Sequence, residues 1–153
     1  MATGNVPRVE ECTCLAVRQA ARHVTQFYDQ YLAPFSLRTT QFSILAKLKR
    51  LGPMTINALA DELVMDRTTL GRNILPLERE GLIGVAPGRA DRRSKELRLT
   101  EAGIGRLQTA RLGWSDAQTR FAAVFGEQRA AGLRTLLGEV SATDLPVTCA
   151  TDG

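Results

Sequence analysis

Histidine is almost absent from this chain: His23 is the only one among 153 residues. The residues around it offer no catalytic triad, and neither a glycine-rich phosphate loop nor paired catalytic carboxylates occur elsewhere. An enzyme is therefore not expected. Cysteine is scarce too, at Cys12, Cys14 and Cys149. An odd number of cysteines argues against a disulfide framework. The Cys12-x-Cys14 pair supplies too few ligands for a closed zinc site, even with His23 as a third. No metal and no cofactor is expected. Apolar runs of about 18 residues are missing, so no membrane span or membrane partner is expected. The stretch from Met1 to Glu11 has no basic start followed by an apolar segment, which points to a cytoplasmic protein. Internal repeats and low-complexity segments are absent, and a chain that is 44% hydrophobic and 24% charged is a globular one.

What the chain has is a localised positive charge. Residues 38–98 hold twelve Lys or Arg against seven Asp or Glu, while the remainder is slightly acidic. The whole excess lies in one contiguous window. A phosphate-binding face needs this, because binding draws on the release of condensed counterions. A solvated basic surface has the same composition, so the order of elements must separate the two.

Residues 10–32 repeat apolar side chains at three- and four-residue spacings, including Leu15, Val17, Val24, Phe27 and Tyr31. This helix ends before Pro34. It carries more apolar surface than one stripe needs, and a partner chain is one way to bury the rest. A second helix spans about 39–50 and stops at Gly52-Pro53. Thr55 is suited to cap a short third helix with Leu59 and Ala60 inward. The tight connection Val64-Met65 leads to Asp66, a cap for a fourth helix from Arg67 to about Glu80, with Leu70, Ile74 and Leu77 inward and Gly81 as its stop. Pro76 predicts a kink in its third turn. Two short helices in this arrangement outline a helix-turn-helix. Ile83 and Val85 then alternate on one strand, and Lys95, Leu97 and Leu99 on another. Thr100 caps a long helix to about Phe125, Gly126 breaks the chain, and a last helix covers about 127–140. Residues 141–153 read as a loose tail.

Two segments have the chemistry to meet DNA. Arg67, Thr68, Thr69, Arg72 and Asn73 lie in the first two turns of the fourth helix, opposite Leu70 and Ile74. A recognition helix enters the major groove N-terminus first. Arg there pairs with guanine, Asn with adenine, and Thr meets a thymine methyl or a phosphate. Thr55, at the head of the third helix, joins this set. The hairpin tip is the second segment, with Arg89, Arg92 and Arg93 on a flexible arm and Lys95 at its return. Such an arm suits a narrow minor groove, where the potential is most negative. Asp91 would repel phosphate, and its spacing suggests instead an ion pair that holds the Arg93 guanidinium.

From Ala58 to Gly103 the chain resembles the multiple-antibiotic-resistance regulator (MarR) family of winged-helix repressors. The likeness is carried by Leu59-Ala60, by Met65-Asp66-Arg67-Thr68-Thr69-Leu70, and by Leu77-Glu78-Arg79-Glu80-Gly81-Leu82-Ile83. Asp91-Arg92-Arg93 in the wing and the closing Leu99-Thr100-Glu101-Ala102-Gly103 complete it. Pro76 fits sequences of this type. The helix order extends the likeness to about residues 10–140.

The resemblance implies a mainly α fold with a small β-hairpin wing, forming one domain over residues 1–153. Residues 38–99 would be the winged helix-turn-helix, flanked by dimerisation helices at 10–34 and 100–140. It implies a homodimer on a pseudo-palindromic operator in double-stranded DNA, most simply a repressor, and a crevice for a small aromatic effector or a related compound. Arg18, Arg22, His23, Phe27 and Trp114 are the residues suited to line that crevice; dimer core and solvated surface are their alternative roles. An organic-hydroperoxide-sensing branch of the family keeps a reactive cysteine where Cys14 stands, and Tyr28 also matches that branch. Arg18 and Thr39 replace two tyrosines expected there. Cys12 would resolve an oxidised Cys14 or do nothing. A winged helix used only for protein contact is a third reading, which the arginine-rich tip speaks against.

Overall fold

The structure is a computed structural model that describes residues 6–146. A 3-10 turn at Val9–Glu11 leads into α1 (Thr13–Leu32). A second 3-10 turn, Ala33–Phe35, joins it to α2 (Thr39–Leu51). Then come β1 (Met54–Thr55), α3 (Ile56–Leu63), α4 (Arg67–Arg79), β2 (Ile83–Pro87), β3 (Lys95–Leu99), α5 (Glu101–Phe125) and α6 (Glu127–Ala142). The chain forms two compact units that divide between Ala117 and Gln118.

The expected hairpin is one part of a three-stranded antiparallel sheet in the order β1-β3-β2. Met54 and Thr55 pair with Leu97 and Glu96, and Ile83, Val85 and Pro87 pair with Leu99, Leu97 and Lys95. A two-residue strand shows no alternation, so it leaves no period to detect. The sheet puts Leu97 and Ile83 into the core of the first unit. There they join Ile44, Leu45 and Leu48 of α2, Leu59 of α3, Leu70, Ile74 and Leu77 of α4, and Leu107 of α5. The buried residues of α3 and α4 fall on the stripes the periodicity predicts, whereas Ile44 of α2, Leu37 before it and the small residues Ala110, Gly113 and Ala117 of α5 were not expected inside.

Local chemistry sets the ends of these elements. Thr55 caps α3 by accepting the Ala58 N–H at 3.2 Å. Thr100 does the same for α5, accepting the Gly103 N–H at 3.0 Å. The turn between α3 and α4 passes through Val64 in the left-handed region, with φ 51°. A β-branched residue rarely adopts this conformation. It is held by the buried Leu59 and Leu70 on either side and by the Met65 N–H, which donates to the Ala60 carbonyl at 2.9 Å. α4 runs unbroken across Pro76 to Arg79.

The carboxylate of Asp29 on α1 accepts both the backbone N–H and the hydroxyl of Thr39, each at 2.7 Å, and so caps α2 from another helix. Further along, α1 and α5 touch at Gly113, where a Cβ would collide with the Tyr31 carbonyl and the Phe35 ring. In the second unit, Phe121 and Phe125 stack at 5.3 Å and the Arg129 guanidinium lies 4.2 Å over the Phe125 ring. α6 extends two residues into the segment expected to be a tail; Cys149 lies outside the described residues. No helix among the described residues is long and apolar enough to cross a membrane.

Candidate nucleic-acid interface

Asp66 precedes α4 and fixes its start. One carboxylate oxygen accepts the Thr69 N–H at 2.9 Å and the other accepts the Thr69 hydroxyl. The hydroxyl bond, followed by the backbone bond, holds the Asp66 carboxyl below its ordinary value of 3.8. A depressed carboxylate stabilises the fold above its ordinary value, and that contribution fades as pH falls through the folded value. Asp66→Ala is therefore expected to lower the melting temperature at pH 7, with a gap to the wild type that narrows towards pH 3. Thermal melts at the two pH values check this, and a gap of constant size would contradict it.

Beyond this cap the helix sorts its polar side chains. Arg67, Thr68 and Arg72 are exposed, and neither arginine has an ion-pair partner among the described residues. Thr69 and Asn73 are engaged within the helix: Thr69 binds Asp66, and the Asn73 side-chain amide donates to the Thr69 carbonyl at 2.9 Å. The Asn73 amide keeps its second N–H and its oxygen for a further partner, and the Thr69 hydroxyl keeps its capacity to accept. Thr55 is half-buried, its oxygen already accepting at the head of α3.

The loop between β2 and β3 carries hydrogen bonds of its own. The Gly88 N–H donates to the Ser94 carbonyl at 2.8 Å, and Ser94 donates its N–H and hydroxyl to the Asp91 carbonyl at 3.1 and 2.7 Å. At the base, the Arg89 N–H donates to Glu96 at 3.2 Å. The expected ion pair between Asp91 and Arg93 is absent. The Asp91 carboxylate accepts the backbone N–H of Arg93 at 2.9 Å instead. An aspartate reaches the N–H two residues on more readily than a long side chain that points outward. Asp91 therefore shapes the backbone, and the Arg93 guanidinium stays exposed beside those of Arg89 and Arg92. Gly88, Ser94 and Glu96 are not among the residues that the sequence singles out. Lys95 is exposed at the start of β3.

The residues suited to an effector lie outside this interface. Arg18, Arg22 and His23 are exposed on α1, and Phe27 packs on Tyr28 and Tyr31 with ring centroids 5.7 and 5.1 Å apart. Trp114 stacks on Phe42 at 5.8 Å and remains 37% exposed, which leaves part of its ring open. Cys12 and Cys14 are exposed free thiols, and the Cys12 sulfur caps α1 by accepting the Leu15 N–H at 3.4 Å. Among the described residues no three His, Cys, Asp or Glu side chains form a metal-holding group.

The sequence profile of the MarR family matches residues 37–95. Over 88% of its length the chain is 36% identical to the Mycobacterium tuberculosis transcriptional regulator MosR, solved in complex with DNA, and spans all of that chain with a TM-score of 0.74. It is 33% identical over 85 residues to the HTH-type transcriptional regulator YwoH of Bacillus subtilis, which is 56% of this chain and 61% of YwoH. It is 29% identical over 115 residues to the HTH-type transcriptional regulator PecS of Dickeya dadantii, covering 73% of this chain and 69% of PecS. The match thus spans about three fifths of YwoH and more of PecS.

Proposed function

The chain belongs to the MarR family, and on that premise we propose that it is a homodimeric, sequence-specific DNA-binding repressor released by a small aromatic or related ligand. The observation that carries this reading is the pairing of two exposed arginine sets, one on a helix and one on the wing. Arg67 and Arg72 stand on a capped helix, and Arg89, Arg92 and Arg93 on a hydrogen-bonded loop. That MosR, at 36% identity, was solved with DNA supports the same partner here. Dimerisation is supported by α1, whose 20 residues bury only Leu32 within the chain, and by Leu136, Leu137 and Val140 exposed on α6. Arg18, Arg22 and His23 are then suited to hold an effector carboxylate, and Phe27 and Trp114 to hold its ring.

A second reading of the switch rests on the thiols. Cys12 and Cys14 are both open to solvent at the first turn of α1, so an organic hydroperoxide can reach them. Oxidation of Cys14, with Cys12 as the resolving thiol, would disturb the cap on α1.

One experiment tests both. Selection from random duplexes with the purified protein is expected to enrich two half-sites related by a two-fold axis and spaced by about one helical turn. Arg72→Ala is expected to relax preference at one or two positions, at a cost of about 1–3 kcal/mol. Binding equally weak to every duplex, or none at physiological salt, sinks the proposal. Repeating the titration with aromatic acids and with a hydroperoxide separates the two switches: release by peroxide that survives Cys14→Ser excludes the thiol reading.

A further inference from the structure

The first turns of α5 hold the far end of the recognition helix α4. Thr100 donates its hydroxyl to the Gly81 carbonyl at 2.6 Å and its N–H to the Leu82 carbonyl at 3.2 Å. Nearly two turns on, Arg106 completes the joint. Its Nη1 lies 3.2 Å from a carboxylate oxygen of Glu80 and 3.4 Å from the Phe35 carbonyl. Glu80 is the C-cap of α4, and Phe35 ends the turn between α1 and α2. A single nitrogen on one helix therefore bridges three elements.

We propose that Arg106 is a positioning residue for DNA recognition, setting the angle at which α4 presents its reading side chains. The inference rests on the DNA-binding reading above. The argument is one of leverage. From Glu80 to Arg67 the helix measures about 20 Å. A tilt of about 10° at the Glu80 end moves the Arg67 end by roughly 3 Å, several times the misplacement a binding constellation tolerates. The joint contributes little to stability, because the two side chains remain 31% and 44% exposed and such pairs are screened by solvent. Its value lies in geometry, which separates it from an ordinary structural contact.

The test uses the full chain with Arg106→Met, Arg106→Lys and Glu80→Gln, titrated with the selected duplex at several salt concentrations. Arg106→Met and Glu80→Gln are each expected to weaken binding about tenfold, the equivalent of one base contact. The slope of log affinity against log salt should stay at the wild-type value, and the melting temperature should stay close to it. Arg106→Lys keeps a cation on the same helix position and is expected to retain more of the affinity than Arg106→Met. Glu80→Gln is the sharpest arm, since it removes a negative charge: electrostatics alone predicts tighter binding, and positioning predicts weaker. Tighter or unchanged binding by Glu80→Gln overturns the proposal. So does a salt slope that falls by about one in Arg106→Met, the mark of a phosphate contact, or an affinity loss matched by a comparable loss of stability. If the wild-type protein binds no duplex, the DNA reading fails and takes this one with it; if it binds and the variants match it, only Arg106 loses its role.

Discussion

Arg93→Ala is expected to weaken operator binding by about one to two orders of magnitude at physiological salt and to leave the melting temperature unchanged. The guanidinium is exposed and in no ion pair among the described residues, so its removal is expected to cost the fold little. The loop keeps its shape, because Asp91 holds the backbone N–H of residue 93, which alanine retains. What is lost is the charge delivered to the groove. An arginine contact at the low end of its range, about 1 kcal/mol, lost in each half-site of the proposed homodimer sums to about 2 kcal/mol, or some thirtyfold. The salt dependence should flatten at the same time, by about one per reading head. Anisotropy titrations over a salt series measure both quantities. Affinity unchanged at physiological salt would remove the wing from the interface.

The second large effect concerns the fold. Gly103 lies on α5 where a Cβ would run into the Leu82 carbonyl oxygen and the Leu99 side chain. Backbone cannot step aside as a flexible side chain does. Gly103→Ala is expected to cost about 1–3 kcal/mol, the range for overpacking a filled core. For a chain of this size the melting temperature falls by about 3–10 °C. Gly105, two residues on, has open space around its Cβ position. Gly105→Ala is therefore the control, and should stabilise by about 0.5–1 kcal/mol through helix propensity alone. Equal effects of the two substitutions would mean that the close approach of α5 to the turn after α4 does not matter.

Features that rest on local chemistry were legible in the sequence. Asp66 and Gly81 bracket α4, Thr55 and Thr100 cap their helices, and Leu70, Ile74 and Leu77 recur with the helical period. Each signal lies within a few residues of its effect. β1 was not legible, because two residues carry no period and their pairing with Leu97 and Glu96 is decided some forty residues away. Asp91 was assigned the wrong partner atom, since sequence spacing places it near residue 93 but does not distinguish a guanidinium from a backbone N–H. Arg106 gave no signal at all: its partners, Phe35 and Glu80, are 71 and 26 residues distant. The arginines suited to DNA were picked out by composition, whereas their supports depend on contacts between elements.

The hydrogen-bonded wing has a thermodynamic consequence. Fixing the backbone of one residue costs roughly 1–2 kcal/mol of conformational entropy. In residues 88–94 much of that cost falls on folding, because Gly88, Asp91, Arg93 and Ser94 are already tied to one another. An arm that ordered only on contact would draw the same entropy from the binding free energy. With part of the wing backbone already tied, less of that entropy is left to be drawn from the binding free energy in the proposed complex.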